Sequence, residues 1–401
     1  MSPDDTSISP ERLHERIDRG ESISVLDVRD RDEFEAWRID GPGVDAAQIP
    51  EMRFVQADIQ GTTAELVADL DEPIVAVCAR GKASDEIAGQ LRDAGVDAVN
   101  LAEGMNGWAR VYVRRELDAD AAGADVYQYR RPASGCLSYL IASDGEAAVI
   151  DPLRAFADRY VEDAQEQGAE LVAAVDTHVH ADHVSGVRAL ADAEDAELRL
   201  PAGAEERGLA FDADLYDDGD RIGVGDVELE AMHAPGHTSE LCVLRLGDVL
   251  FSADTLFLGG VGRPDLERAA PRAAESRAAP PRGKAGDDGA RDLAGDLYET
   301  LHERLLELPD DTVVAPGHYG DADEAGGDGT FAASLGDLAE GLDALSMDRE
   351  AFVEFTVGNL PPRPANYERI VATNLGRDEL SDDEAFEVEL GPNNCAVSDA
   401  D

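Results

Sequence analysis

One heptapeptide constrains this chain more than anything else in it: Thr177-His178-Val179-His180-Ala181-Asp182-His183. It follows the apolar run Leu171–Val175, which reads as a buried strand, and precedes a helix expected from about Val184. His178 and His180, two apart on extended backbone, project the same way. Asp182 and His183 fall at the turn into the helix. Three imidazoles and a carboxylate within six residues fit a metal site better than a core, where a buried histidine is usually single. The chain has only eight histidines. Five fall in three short motifs: this one, Gly236-His237-Thr238 and Gly317-His318-Tyr319. Asp254 ends the apolar run Phe251-Ser252-Ala253. Each shorter motif is weak alone. Together they place His or Asp after successive expected strands, and predict that His178, His180, Asp182, His183, His237, Asp254 and His318 surround one metal centre.

In kind and order these motifs resemble the metallo-β-lactamase superfamily over about residues 126–320. The resemblance implies an αββα sandwich with the site at one edge of two facing sheets. In dinuclear members the positions of His178, His180 and His237 hold one metal, those of Asp182, His183 and His318 the other, and that of Asp254 bridges. Two branches compete. A glyoxalase II-type (hydroxyacylglutathione hydrolase) enzyme cleaves thioesters with two zinc ions that activate water. A persulfide dioxygenase uses one Fe(II) per chain. There the positions of His178, His237 and Asp254 form a two-His-one-carboxylate triad, and the other His and Asp orient the ligands. The segment Gly260-Val261-Gly262-Arg263-Pro264-Asp265 resembles the dioxygenase branch and lacks the aromatic-Glu-Gly of the hydrolases. The resemblance implies that Arg263 helps hold the carboxylates of a thiol substrate, a task that suits a guanidinium fork; a salt bridge to Asp265 is the alternative. Pro361-Pro362-Arg363-Pro364-Ala365-Asn366-Tyr367 resembles a terminal segment of sulfur dioxygenases, or is a rigid turn.

Upstream, residues 8–113 alternate helices and short apolar strands, the pattern of a parallel sheet. Helices are expected over Pro10–Arg19, Thr63–Leu70 and Ser84–Ala94, and strands over Ser24–Val28, Ile74–Val77 and Val96–Leu101. Cys78-Ala79-Arg80-Gly81-Lys82-Ala83-Ser84 links a strand to a helix. Backbone N–H groups of such a loop and the helix dipole stabilise a thiolate or persulfide. Lys82, one of two lysines in the chain, strengthens that reading; a buried strand-end cysteine is the plain alternative. The loop, Asp27-Val28-Arg29, Glu33-Phe34 and Glu103-Gly104-Met105-Asn106-Gly107-Trp108 resemble the rhodanese domain, which implies a cysteine persulfide at Cys78 with Arg80 and Lys82 beside it. A phosphatase loop would need Arg at Ser84.

The expected layout is a rhodanese-like domain (8–116), a linker (117–125), a metallo-β-lactamase-like domain with C-terminal helices (126–376) carrying a mobile insertion (268–295), and an acidic tail (377–401) that packs only in part. The fold class is α/β. Cys136 and Cys242 read as core, and Cys395 has no assignment.

Asp and Glu total 87 against 34 Lys and Arg, a net charge of −53. That disfavours nucleic acid, whose phosphates need a basic face. Spread along a lysine-poor chain, it suggests adaptation to molar salt, where self-repulsion is screened. No apolar run approaches a membrane span, the first residues lack a signal-peptide pattern, and four scattered cysteines suit a reduced cytoplasm. The expected reaction is oxidation of a thiol persulfide by O₂ to sulfite and thiol at the iron, with Cys78 moving sulfur to or from thiosulfate, sulfite or thiols. A homodimer is left open.

Overall fold

The structure is a computed structural model that describes residues 6–267, 287–320, 323–391 and 395–398. The chain divides into two compact units. The first runs to Val113 and adds Arg131–Ser134; the second holds Arg114–Arg130 and the chain from Gly135 to Glu389, with the last strand.

The first unit is built as β1 (Ser7–Ile8), α1 (Pro10–Asp18), β2 (Ile23–Asp27), α2 (Arg31–Ala36), β3 (Val44–Gln48), α3 (Glu51–Gln60), β4 (Ile74–Val77), α4 (Lys82–Asp93), β5 (Ala98–Leu101) and α5 (Gly104–Trp108). The strands form one sheet in the order β1-β5-β4-β2-β3, with every pair parallel. A parallel sheet must be covered on both faces. Leu13, Ile17 and Trp108 pack on one face, and Phe54, Ile87 and Leu91 on the other. The helix expected over Thr63–Leu70 is a short 3₁₀ turn, Thr63–Val67.

The second unit has two sheets. The first, from β6 (Val113–Glu116), β7 (Asp125–Arg130), β8 (Leu137–Ser143), β9 (Glu146–Ile150), β10 (Glu170–Val175), β11 (Glu197–Pro201) and β12 (Asp214–Tyr216), is ordered β12-β11-β10-β9-β8-β7-β6. The helices α6 (Ala157–Glu166) and α7 (Val187–Glu194) lie along this part of the chain. The second sheet comprises β13 (Arg221–Val224), β14 (Val227–His233), β15 (Cys242–Leu246) and β16 (Val249–Ala253). Beyond β17 (Gly260–Gly262) and α8 (Asp287–Thr300), it adds β18 (Val313–Pro316) and β19 (Ala333–Ser334). Leu137, Tyr139, Ile141 and Val175 meet Leu229, Leu244 and Phe251 in the core between the sheets. Leu297 and Leu301 cover the far side of the second sheet at Leu241, Val243 and Leu250. This is a helix-sheet-sheet-helix sandwich. The chain ends with α9 (Leu335–Gly341), α10 (Asp343–Ser346), α11 (Arg349–Gly358), α12 (Tyr367–Asn374), α13 (Asp382–Val388) and β20 (Ala396–Ser398).

Two expectations change and a third is sharpened. Residues 287–295 of the supposed mobile insertion form the first turns of α8, whose Ala294 and Leu297 are buried; residues 268–286 lie outside the described part. The segment 117–125 is not a free linker, because Leu117 and Ala121 bury in the sandwich core. The acidic tail packs in part, as expected, with its last strand turned inward: β20 pairs antiparallel with β17, and Cys395 and Val397 are buried, while residues 381–384 are exposed.

Candidate metal centre

β10 ends at Val175, and α7 begins at Val187 rather than near Val184. The histidine motif is therefore an irregular loop, and its shape is imposed from outside. Asn374 Nδ2, on α12, donates to the carbonyls of His180 and His183, 3.0 and 2.9 Å away, while its Oδ1 accepts from Ser185 N. Glu389 accepts from Val184 N at 2.8 Å. Glu240 accepts from Val179 N at 2.9 Å and is neutralised by Arg207. Cutting the Asn374 contacts by Asn374→Leu is expected to cost about 3 kcal/mol, roughly 1 kcal/mol for each of three buried hydrogen bonds. A urea midpoint unchanged from the parent would contradict this.

His178, His237 and Asp254 converge. Asp254 Oδ2 lies 3.9 Å from His178 Nε2 and 3.6 Å from His237 Nε2. All three side chains are 1% exposed, and these three atoms have no hydrogen-bond partner. Their other polar atoms are engaged. His237 Nδ1 donates to the carbonyl of Arg263 at 2.8 Å. His178 Nδ1 meets Thr177 Oγ1 at 3.0 Å, and that hydroxyl already donates to Asp151; the imidazole is thus the donor. Both rings are fixed with the proton on Nδ1 and the lone pair on Nε2, facing the carboxylate. Three buried, unsatisfied ligand atoms at this spacing fit a cation, since leaving one such atom unpaired costs about 1–3 kcal/mol. Burial, reinforced by neighbouring histidines, holds His178 well below the ordinary histidine range. Burial also lowers His237, against the pull of Asp254. Both favour the neutral form a metal needs.

Two local features aim Asp254. Ala253 sits in the left-handed region (φ 48°), and the register of β16 against β18 shifts there; this kink turns the next residue out of the strand. Gly262 packs onto it so closely that a Cβ would lie 2.0 Å from the Asp254 carbonyl oxygen.

The other four predicted residues are placed around this triad. His318 spans two carboxylates, with Nδ1 2.7 Å from Asp254 Oδ1 and Nε2 2.9 Å from Asp182 Oδ2. Burial opposes its charge, but the carboxylates win and raise it well above the ordinary range. His183 Nδ1 is 3.0 Å from Asp182 Oδ2; it too is opposed by burial, yet is pushed up to about 9 by Asp182. His180 Nε2 faces Asp151 at 3.1 Å and Asp176 at 3.6 Å.

Arg263 is fully buried. It donates to both Asp265 oxygens (2.8 and 3.2 Å) and to the carbonyls of Pro362 and Pro361 (3.0 and 2.9 Å). The ion pair weighed as the alternative is thus formed, and the Pro361–Tyr367 segment is docked on it. Arg363 completes the cluster at Asp265 and is half exposed.

In the first unit, Cys78 immediately follows β4 and is 7% exposed. Burial raises the thiol, but the Ser84 hydroxyl at 3.2 Å and the N–H groups of Ser84, Arg80 and Ala83 outweigh it, and the net shift is downward. Arg80 and Lys82 are exposed beside it. The motif at Glu103–Trp108 buttresses the loop: Met105 N and Asn106 N donate to the carbonyls of Cys78 and Ala79. A Cβ at Gly104 would lie 2.1 Å from the Cys78 carbonyl oxygen.

Sequence reasoning missed Asn374, Glu389 and Glu240, and also two thiols. Cys136, expected in the core, lies 3.3 Å from Asp182, and the unassigned Cys395 can share a cation with Asp182 and His318. The only sequence signal was the rarity of cysteine, four in 401 residues.

The model of the metallo-beta-lactamase superfamily matches residues 131–318 and that of the rhodanese-like domain residues 9–111. Human mitochondrial persulfide dioxygenase ETHE1 is 30% identical over 278 residues, 66% of this chain and 94% of that protein. A hydroxyacylglutathione hydrolase of Xanthomonas euvesicatoria pv. vesicatoria is 34% identical over 180 residues, 45% of this chain and 58% of its own length. The crystal structure of ETHE1 from Myxococcus xanthus superposes with a TM-score of 0.50 at 25% identity, covering 66% of this chain and 100% of that one.

Proposed function

The chain belongs to the ETHE1-type persulfide dioxygenase family of the metallo-β-lactamase superfamily, joined to a rhodanese-like domain, and from that premise we propose an iron-dependent persulfide dioxygenase coupled to sulfane-sulfur transfer at Cys78. The observation that carries the reading is the convergence of His178 Nε2, His237 Nε2 and Asp254 Oδ2, all buried and without partners. These residues would hold Fe(II) on one face. When bound, the iron would supply redox chemistry toward O₂ and a persulfide. The balanced reaction is R–S–SH + O₂ + H₂O → R–SH + SO₃²⁻ + 2H⁺.

The chain's own groups hold the site in place. Thr177 and the Arg263 carbonyl fix the ring protons. His318 takes Asp254 Oδ1 and leaves Oδ2 for the metal. In this reading Arg263 acts first through structure, by docking Pro361 and Pro362. Contact with the carboxylates of a thiol substrate would require it to exchange a partner, and the half-exposed Arg363 adds a cation at the same place. Cys78 carries sulfur as a persulfide between thiosulfate, sulfite or thiols and the iron; tethering raises the local concentration of the shared intermediate.

The test is O₂ uptake and sulfite release by iron-loaded protein given a low-molecular-weight persulfide. No O₂ consumption would overturn the proposal. The second reading, a dinuclear zinc thioester hydrolase, draws on His180 Nδ1 and His183 Nε2, which also lack partners, and on the hydrolase relatives. Two zincs per chain with thioester cleavage would select it.

Two further parts of the proposal concern the setting. All four cysteines are free thiols, in keeping with a reducing, cytoplasmic location; among the described residues no helix is long and apolar enough to cross a membrane. A net charge of −53 fits a salt-adapted protein. Diluting KCl from about 3 M to about 0.1 M lengthens the screening distance from below 3 Å to about 10 Å. The melting temperature is expected to fall by roughly 10 °C or more as acidic repulsion returns; an equal or higher value at low salt would count against the adaptation.

A further inference from the structure

Asn100 is out of place in its strand. β5 reads Ala98-Val99-Asn100-Leu101 and lies inside a parallel sheet, between β4 and β1. Asparagine is depleted in strands, and its amide is unfavourable to bury unless hydrogen-bonded. The register sets Asn100 opposite Ala76, two residues before Cys78. It is 7% exposed, and its Oδ1 accepts from the Ser84 hydroxyl at 2.7 Å. Ser84, in the first turn of α4, is fully buried, and the same hydroxyl lies 3.2 Å from Cys78 Sγ. A hydroxyl carries one proton. It serves the amide or the sulfur, not both at once.

We propose that Asn100 is a positioning residue of the sulfur-transfer centre, a resting acceptor that takes the Ser84 proton whenever Cys78 Sγ carries no charge; this role rests on the sulfur-transfer reading of Cys78. A neutral thiol is a weak acceptor, so the hydroxyl then points to the amide. A thiolate is a charged acceptor and draws the hydroxyl to itself. Attack on thiosulfate returns it: E–S⁻ + S₂O₃²⁻ → E–S–S⁻ + SO₃²⁻. The new bond joins Sγ to the sulfane sulfur, the S–S bond of thiosulfate breaks with its electron pair leaving on sulfite, and the charge now resides on the outer sulfur. Sγ is again neutral, and the hydroxyl swings back to Asn100. The amide thus disfavours the bare thiolate relative to both the thiol and the loaded form. The charged groups on the surrounding elements are engaged elsewhere. Arg80, Lys82, Asp85 and Glu103 are exposed, Asp27 at the end of β2 pairs with Arg29 at 2.6 Å, and α3 packs there through Phe54. Burial raises the thiol, and Ser84 is the strongest of the groups that lower it.

The test is the pH dependence of Cys78 alkylation by iodoacetamide in the full chain, read by peptide mass. Asn100→Ala should lower the midpoint by about half a pH unit or more, because a hydrogen bond to a charged group exceeds a neutral one by roughly that much. The sign is opposite to that expected for Ser84→Ala. In a Ser84→Ala chain, adding Asn100→Ala should leave that chain's midpoint where it is, since the shared proton is gone. A midpoint that rises or stays in Asn100→Ala, or an equal fall with and without the Ser84 hydroxyl, overturns the proposal. The parent chain supplies a second reading, decisive should Asn100→Ala fail to fold. With ¹³C in the asparagine side-chain carbonyls, one signal should move with the Cys78 midpoint and stand still in Cys78→Ser. Absence of such a signal also overturns the proposal. Alkylation needs no sulfur donor, so thiosulfate-to-cyanide transfer measured alongside separates the two readings. A shifted midpoint without transfer would sink only sulfur transfer, and transfer without the shift only the role of Asn100.

Discussion

Asp254→Ala is expected to abolish O₂ uptake with a persulfide and to strip the chain of iron. In the proposed site the side chain contributes one of three ligand atoms, and its second oxygen anchors His318, so the substitution removes a ligand and leaves a buried imidazole with one carboxylate, that of Asp182, where it had two. Loss of an outer partner alone typically weakens metal binding about 10–100-fold; loss of a ligand should exceed that. His318→Gln provides the graded comparison, because it spares all three triad atoms and should stay within that range. Iron content per chain after gel filtration, together with O₂ consumption, reads both. An Asp254→Ala chain that kept its iron would place the metal elsewhere. Acid adds an independent check. The Nε2 lone pairs of His178 and His237 must be free for metal. Because burial depresses both groups, protons compete poorly for them. Iron should therefore stay bound as the pH falls through the ordinary histidine range and be lost only below it.

The candidate ligands could be picked out because each sits within a few residues of an apolar strand, and strand ends are visible in hydrophobic patterning. The architecture followed from the same pattern: β2, β4 and β10 were expected within a residue or two of where they form. What holds the ligands was not legible. Asn374 reaches Ser185 across 189 residues and Glu389 reaches Val184 across 205, and no local period encodes such a contact. Cys395 had no assignment because the acidic tail around it shows no hydrophobic period; the pairing of Val397 with Val261 draws it inward. Arg263 shows the converse limit. Its motif was plain, yet its type alone could not tell a substrate fork from a buried ion pair, and burial together with four internal acceptor contacts favours the ion pair in this conformation.

The other large effect is expected at Cys78. Cys78→Ser should reduce sulfur transfer from thiosulfate to a thiol or cyanide acceptor by about a thousandfold or more, because an alcohol is a far weaker nucleophile and cannot carry sulfane sulfur. Oxidation of a persulfide supplied directly should persist, since none of the triad atoms belongs to that unit; its loss would contradict separate catalytic centres. Ser84 discriminates further. Its hydroxyl reaches both Cys78 Sγ, at 3.2 Å, and Asn100 Oδ1, at 2.7 Å, and one proton cannot serve both. A thiolate competes better for that proton than a neutral thiol does. Ser84→Ala should thus destabilise the thiolate and move the pH midpoint of Cys78 alkylation upward, leaving the three backbone donors as its remaining support. A midpoint that fell, or did not move, would mean that the loop amides alone set the reactivity of this sulfur.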